Sequence, residues 1–98
     1  MDVRFELNGV AFVWDSAKAR SNVLEHEGVR FEDAAQVFFD PFLRLVDASR
    51  NDQTRDAVIG YDLQGRLLFV VHLEINDEYI RIISARKATR QERDDHDS

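Results

Sequence analysis

Three side chains that could handle a proton and a phosphate recur every four residues near the start of the chain. Lys18, Asn22 and His26 have this spacing, which places residues on one stripe of an α-helix. A histidine with an ordinary pKa near ~6.5 exchanges a proton at neutral pH, and a nearby lysine can bind a phosphate. Exposed helix faces are also normally polar, so the spacing alone leaves a solvated face as the alternative.

A second group of candidates is a basic segment in the last quarter of the chain. Residues 79–93 contain five basic residues and a single acidic one, Glu92. Arg81 lies between apolar neighbours of a predicted strand, where an unpaired guanidinium is costly to bury, so it faces either a carboxylate or an anion-binding groove. Arg86 and Lys87 follow as that strand ends, and we expect them to join Arg81 in one positive site.

These two groups together could cleave RNA without a metal ion. The 2′-hydroxyl attacks the adjacent phosphorus, which requires a base on the hydroxyl, an acid on the leaving 5′-oxygen and cations around the phosphorane. One histidine with several arginines and lysines is sufficient for this chemistry. The alternative is that the charged segment is simply a solvated surface.

Length and composition exclude several classes of protein. With 98 residues the chain is expected to form one domain, residues 1–98, and the absence of cysteine rules out disulfides and cysteine-ligated metals. The longest apolar run is too short to span a membrane, and charges interrupt the N-terminus where a signal peptide would be apolar, so a cytoplasmic location is expected. A net charge of −6 counts against attraction of the whole surface to nucleic acid.

The sequence pattern predicts an α+β fold in the order ββααββββα. Asn8-Gly9 predicts a hairpin between strands 3–7 and 10–14, and a helix follows from Asp15 or Ser16 to about Glu27. A second helix is predicted at 32–38, and Thr89-x-x-Glu92 is a capping box that starts a short C-terminal helix. Four further strands, expected to pair in an antiparallel meander with the two N-terminal helices on one face, are predicted at 42–48, 55–62, 66–74 and 79–84.

The acidic C-terminus offers a further candidate site. Residues 94–98 are predicted to be a disordered tail, because terminal charged residues usually are. Asp94, Asp95, His96 and Asp97 could instead bind a divalent ion through oxygen and imidazole ligands. The histidine of the central strand, His72, is expected to be packed in the core.

These features resemble the BrnT family of toxins from bacterial type II toxin–antitoxin modules. The resemblance extends over about residues 10–96, and the strand that leads into a basic turn at 81–89 is its most specific part. The motifs that carry it are Phe12-Val-Trp-Asp, Lys18, Asn22, His26, Gly28-Val-Arg-Phe-Glu32, Phe39-Asp-Pro41, Arg55, Ile59-Gly60, Leu68-Phe-Val-Val71, Arg81-Ile-Ile-Ser-Ala-Arg-Lys-Ala-Thr89 and Glu92-Arg93. The chain departs from the family pattern at His96, where a tyrosine is common, and in an extra N-terminal strand.

The resemblance implies a metal-independent endoribonuclease with a RelE-like antiparallel sheet of four to six strands. It implies neutralisation by a BrnA-like antitoxin in a heterotetramer, with DNA bound only indirectly through the antitoxin, and no cofactor or membrane. The catalytic candidates it carries over are His26, Lys18, Arg55, Arg81 and Arg86, and the RNA-binding candidates are Lys87, Asn22 and Arg90.

Two other functions are consistent with the same residues. A non-catalytic interaction module would use the basic segment to bind a DNA-binding, antitoxin-like partner. A metal-dependent nuclease would use the terminal Asp/His cluster.

Overall fold

The structure is a computed structural model that describes residues 1–47 and 55–98 of the chain. The predicted loop at 49–54, and Ala48 at the end of a predicted strand, lie outside the described residues. The strands are β1 (Asp2–Leu7), β2 (Val10–Asp15), β3 (Arg44–Asp47), β4 (Asp56–Tyr61), β5 (Leu67–Ile75) and β6 (Tyr79–Lys87). The helices are α1 (Ser16–Glu25), α2 (Phe31–Val37) and α3 (Arg90–Asp97).

The six strands form one mixed sheet in the order β1-β2-β6-β5-β4-β3. Neighbouring strands pair antiparallel except β2 and β6, which pair in parallel. The prediction of a purely antiparallel sheet was therefore wrong. Two-residue and three-residue turns join β1 to β2 and β5 to β6, but both N-terminal helices and three strands separate β2 from β6, and such a long crossover permits a parallel pair.

The predicted hairpin at the N-terminus is confirmed. Asn8 and Gly9 have φ values of 51° and 80°, as both central residues of a type I′ turn require. The turn pairs Leu7 with Val10 and continues the register to Asp2 and Asp15.

The hydrophobic core lies between the sheet and α2. Alternate residues of the central strands, among them Val70 and Ile82, pack with Phe31 and Val37 of α2, which we call the helix-covered face. Gly60 allows α2 to approach β4 closely, because a Cβ atom at this position would lie 2.9 Å from Cγ1 of Val37. The predicted helix at 32–38 is confirmed, one residue earlier in the chain.

The C-terminal helix α3 packs on the other side of the sheet. Its capping box is confirmed, with the Thr89 hydroxyl accepting from Glu92 N and the Glu92 carboxylate accepting from Thr89 N. Residues 94–97, expected in a disordered tail, form the last turn of this helix, and His96 is buried. The tail was predicted from its charge and its terminal position, whereas the buried imidazole gives the helix a packed side.

Candidate active site

Three candidate arginines lie on the sheet face opposite α2, which we call the open face. Arg81 pairs with Leu73 across β5 and β6, and Arg86 pairs with Phe69. Continuing the β4–β5 register by one residue places Arg55 opposite Leu73 as well. Arg55 and Arg81 are thus two strands apart, about 10 Å, while Arg86 lies roughly 15 Å along β6 from Arg81.

The sequence predicted that Arg81, Arg86 and Lys87 form one positive site, but the structure separates them along β6 and between its two faces. The side chains of Arg81 and Arg86 do not converge on one site, because β6 continues as a strand through Lys87 and the two guanidinium groups bind different carboxylates, those of Asp2 and Glu92. Successive residues of a strand point to opposite faces, so Lys87 also leaves the face of Arg86. The open face therefore carries separate cationic points that an extended anion could contact in turn.

Arg81 is bound by a carboxylate at the start of the chain. Its two terminal nitrogens donate to the two oxygens of Asp2, at 3.1 and 3.0 Å. This hydrogen bonding raises the pKa of Arg81 further and lowers the pKa of the Asp2 carboxyl. Arg81 was expected to face a carboxylate or an anion-binding groove, and it faces the carboxylate of Asp2 from β1.

Arg86 is held by an aromatic ring and a second carboxylate. Its guanidinium carbon lies 4.2 Å from the centroid of the Phe69 ring, a cation–π arrangement. Its nitrogens donate to both oxygens of Glu92, at 2.7 and 2.9 Å. That bidentate pair lowers the pKa of the Glu92 carboxyl and raises that of Arg86. The side chain is thus oriented on the open face before any ligand binds.

Helix α1 is attached to the edge of β6 by one amide. Asn22 is buried, and its side chain accepts from Ala85 N at 3.1 Å and donates to Ala85 O at 2.7 Å and to Val29 O at 3.0 Å. The amide thereby pairs with β6 beyond the point where β2 ends, as a strand would. Asn22 was predicted to bind RNA, but its amide is occupied by these backbone groups.

The histidine candidate lies one helical turn beyond that amide. His26 caps the C-terminus of α1 and is half-buried, while the next residue, Glu27, pairs with Lys87 at 3.1 Å. Because Asn22 contacts Ala85, the residue before Arg86, one turn of helix brings His26 to the end of β6. His26 and Lys87 therefore lie at one corner of the molecule, where β6 ends, while the Arg86 side chain is held on the open face by Phe69 and Glu92.

The remaining predicted cations are exposed. Lys18 is one turn from Asn22 in the direction away from His26, and its backbone nitrogen donates to the Asp15 carboxylate at 3.0 Å. Arg90 begins α3 and is exposed. Neither side chain reaches the centre of the open face, so their placement suits contacts with the outer parts of a long ligand.

The chain matches the protein-family model described as the ribonuclease toxin BrnT of type II toxin-antitoxin systems, over residues 14–92. The chain belongs to the BrnT family. The predicted resemblance is thereby confirmed, and the matched range contains every catalytic and RNA-binding candidate. No curated protein matches the chain.

The BrnT match leaves most of the N-terminal hairpin outside its limits. Asp2, which binds Arg81, comes from this part of the chain. The arginine lies inside the match and its carboxylate partner outside it. The acidic residues of this BrnT protein thus have a structural effect, because Asp2, Glu27 and Glu92 each bind a cation of the basic segment.

The metal-dependent alternative receives no support from the described part of the chain. Among residues 1–47 and 55–98, no three His, Asp or Glu side chains are grouped in a way that could hold a metal ion. The His96 ring is instead directed to the Phe42 carbonyl and to Asp97, at 3.0 and 3.2 Å. Over the same residues, no helix has the length and apolar character needed to cross a membrane.

Sequence reasoning missed a group of residues beside α3. Arg44 of β3 donates to the carbonyls of Asp95 and Ser98, each at 3.2 Å, and Tyr61 of β4 contacts the His96 ring edge-on with centroids 5.8 Å apart. The signal that could have found them is the i, i+4 spacing of Glu92 and His96, which puts both on one face of the capped helix.

Proposed function

We propose that this protein is a metal-independent endoribonuclease that binds RNA across the open face of its sheet. The observation that carries the proposal is the BrnT match, because it covers residues 14–92 and with them all five catalytic candidates. The separation of Arg55, Arg81 and Arg86 on that face supports an extended single strand as the ligand, since each guanidinium can bind a different phosphate. The proposed arrangement is that of a RelE-like toxin.

Cleavage takes place at the corner where His26 and Lys87 lie, at the end of β6. His26 acts as the general base on the 2′-hydroxyl or as the general acid on the 5′-oxygen, and water exchanges the other proton. Lys87 stabilises the charge of the phosphorane, and Arg86 binds the neighbouring phosphate from the open face. Arg55 and Arg81 bind phosphates farther along the strand, while Lys18 and Arg90 contribute outer contacts. The products are a 2′,3′-cyclic phosphate and a free 5′-hydroxyl.

RNA must compete with carboxylates for these cations. Asp2 and Glu92 occupy the bidentate positions on Arg81 and Arg86 that a phosphate would use. Binding therefore requires exchange of one anion for another. We expect RNA affinity to be modest and to fall steeply with salt, since it depends on few phosphate contacts.

The decisive test is RNA cleavage by purified protein in the presence of EDTA. His26→Ala and Arg86→Ala should each lower the cleavage rate by about 10²-fold or more, the usual contribution of a general acid–base or an oriented cation. Arg20→Ala is the matched control, because Arg20 is an exposed arginine of α1 that lies two residues before the buried Asn22 and so on a different side of the helix. Detection of 2′,3′-cyclic phosphate ends checks the mechanism.

Induced expression in cells provides the second part of the test. The wild type and Arg20→Ala should arrest growth, whereas His26→Ala and Arg86→Ala should not. Growth arrest that persists unchanged in both of these variants would remove this active site. Cleavage that EDTA abolishes would show a metal-dependent reaction instead.

Toxins of type II systems pair with an antitoxin protein. We propose that the partner here is a BrnA-like, DNA-binding antitoxin, that the two form a heterotetramer in the cytoplasm, and that DNA is contacted through the antitoxin alone. Co-expression with the neighbouring reading frame should restore growth and yield one complex of defined mass. Purified protein that never cuts RNA but binds this neighbour tightly would favour a non-catalytic interaction module.

A further inference from the structure

A cleft beside α3 lies outside the catalytic corner. It has a volume of about 460 Å³ and is lined by Phe42, Leu43, Arg44, Tyr61, His96 and Asp97. Two neutral aromatic rings, an imidazole and a guanidinium thus converge on one concave site. Aromatic and guanidinium planes are the groups on which unpaired RNA bases stack.

Phe42 provides an aromatic surface that is exposed although its backbone is fixed. Its side chain is 73 % exposed, which leaves a large apolar area in water. Its backbone nitrogen donates to Asp40 Oδ1 at 3.0 Å, and its carbonyl oxygen lies 3.0 Å from His96 Nε2. An exposed ring on a held backbone can bind a flat ligand with little loss of conformational entropy.

The polar groups of the cleft are also oriented in advance. Arg44 is held by the Asp95 and Ser98 carbonyls at the end of α3, and the Tyr61 ring packs edge-on against His96. The guanidinium can stack on a base or donate to its edge, and the phenol can donate or accept. The cleft therefore combines stacking with hydrogen bonding, which is the basis of recognition of single-stranded RNA bases.

A second cleft shares two lining residues with this one and leads towards Arg86. This smaller cleft of about 280 Å³ also contains Arg44 and His96, and it extends to Phe69 and Glu92. Those two residues are the ones that hold Arg86. A strand whose phosphate binds Arg86 therefore has a path along which a nearby base can reach Phe42.

We propose that the cleft between Phe42, Tyr61 and α3 binds one unpaired base of the RNA substrate and so selects the sequence that is cut. The inference rests on the proposed ribonuclease function and adds a specificity subsite to it. The base stacks on the Phe42 ring, and Arg44 and Tyr61 contact its edge. The bond that is cut is then set by the distance along the strand between this base and the His26 corner.

The test compares Phe42→Leu with Leu63→Ala. Phe42→Leu keeps an apolar side chain but removes the aromatic plane, and Leu63 is a control because it is 86 % exposed in the β4–β5 turn and does not line the cleft. Phe42→Leu should raise KM about tenfold, within the range reported for loss of one stacked base, and should broaden the base preference at cut sites. Phe42→Trp should restore both, and Leu63→Ala should change neither.

Titration with the four 5′-mononucleotides, followed by NMR, separates this inference from the activity. Saturable shifts at Phe42, Tyr61 and Arg44 in the wild type, lost in Phe42→Leu, would support a base-binding cleft even if the protein cut no RNA. An unchanged KM and cut-site profile in a Phe42→Leu enzyme that cleaves RNA would overturn the subsite and leave the ribonuclease standing. Absence of saturable shifts at these residues would also overturn it.

Discussion

Asn22 joins α1 to β6 through three hydrogen bonds to the backbone of Ala85 and Val29. Because these groups are buried, their partners cannot be replaced freely by water. The residue therefore determines where the start and end of α1 lie relative to β6. Through that placement it also brings His26 to the end of the strand.

Asn22→Ala is expected to lower the free energy of unfolding by about 2 to 4 kcal/mol, because it leaves buried backbone groups unpaired. Urea unfolding followed by circular dichroism measures the change. Ser21→Ala, at an exposed neighbouring position, should change stability by less than about 0.5 kcal/mol. A variant at Asn22 that is fully stable but binds RNA weakly would instead show that the amide is a ligand.

The contacts of Asn22 could be predicted from the sequence only in part. The i, i+4 spacing correctly put Lys18, Asn22 and His26 on one stripe, but it could not say that this stripe meets a strand edge. Which side of a polar helix is buried depends on what it packs against, and here the partner is a backbone 63 residues later in the chain. Arg55 and Arg81 are similar, since only the sheet register places both beside Leu73.

Helix α3 carries a carboxylate, that of Glu92, which both orients the Arg86 side chain and takes up its hydrogen-bond donors. The capping box starts the helix and at the same time directs Glu92 towards Arg86. The capping spacing could be predicted because it is local. The contact with Arg86 could not, because it depends on the angle at which the chain leaves β6.

Glu92→Gln is expected to increase RNA affinity about fivefold, the change that ~1 kcal/mol of partly exposed ion pairing represents. The amide oxygen can still accept from Thr89 N, so the helix cap is kept while the competing charge is lost. Fluorescence anisotropy with a labelled single-stranded RNA measures the affinity. Glu78→Gln, an equal change of charge in the exposed β5–β6 turn, is the control.

The same variant also separates two roles of Glu92. If Glu92 only competes with RNA for Arg86, Glu92→Gln should bind RNA more tightly and still cleave it. A large loss of cleavage together with unchanged binding would identify Glu92 as a group that transfers a proton, which contradicts the role proposed here.

At the scale of the whole molecule, buried titratable groups should make stability depend on pH in two steps. Burial lowers the pKa of His72 below its ordinary 6.5, against the opposing charges of Asp56 and Glu74. Burial would raise the pKa of Asp33, but hydrogen bonds and charge from Arg30 outweigh it, so this pKa is lowered, as is that of Glu92. In the folded state, His72 is therefore neutral to a lower pH than in the unfolded chain, and Asp33 and Glu92 stay charged to a lower pH.

The free energy of unfolding should therefore fall first as the pH drops below about 6.5, because the unfolded chain then takes up a proton at His72 before the folded chain does. It should fall again below about 4.5, where unfolded carboxyls such as that of Glu92 become protonated. Urea unfolding at a series of pH values measures both steps. His72→Leu should remove the upper step alone, and an upper step that survives this substitution would assign it to another group.

The sequence by itself determined the elements and the family. The Asn8-Gly9 turn, the capping box and the alternation of apolar residues are local patterns. Such patterns specify hydrogen bonds between near neighbours and the side of an element on which each side chain lies, and these are enough to predict helices, strands and turns. The motifs between Lys18 and Glu92 were likewise enough to indicate the BrnT family, which the match over residues 14–92 confirms.

The tertiary structure decided which charged side chains pair with each other and which residues lie on the open face of the sheet. Pairing β2 with β6 in parallel brought Asp2 to Arg81, the turn after β6 brought Glu92 to Arg86, and α3 formed the cleft around Phe42. These contacts join residues that are distant in the chain or depend on how whole elements cross, so no local pattern encodes them. In the folded chain, acidic residues that contribute to the net charge of −6 thus pair with particular arginines, Asp2 with Arg81 and Glu92 with Arg86.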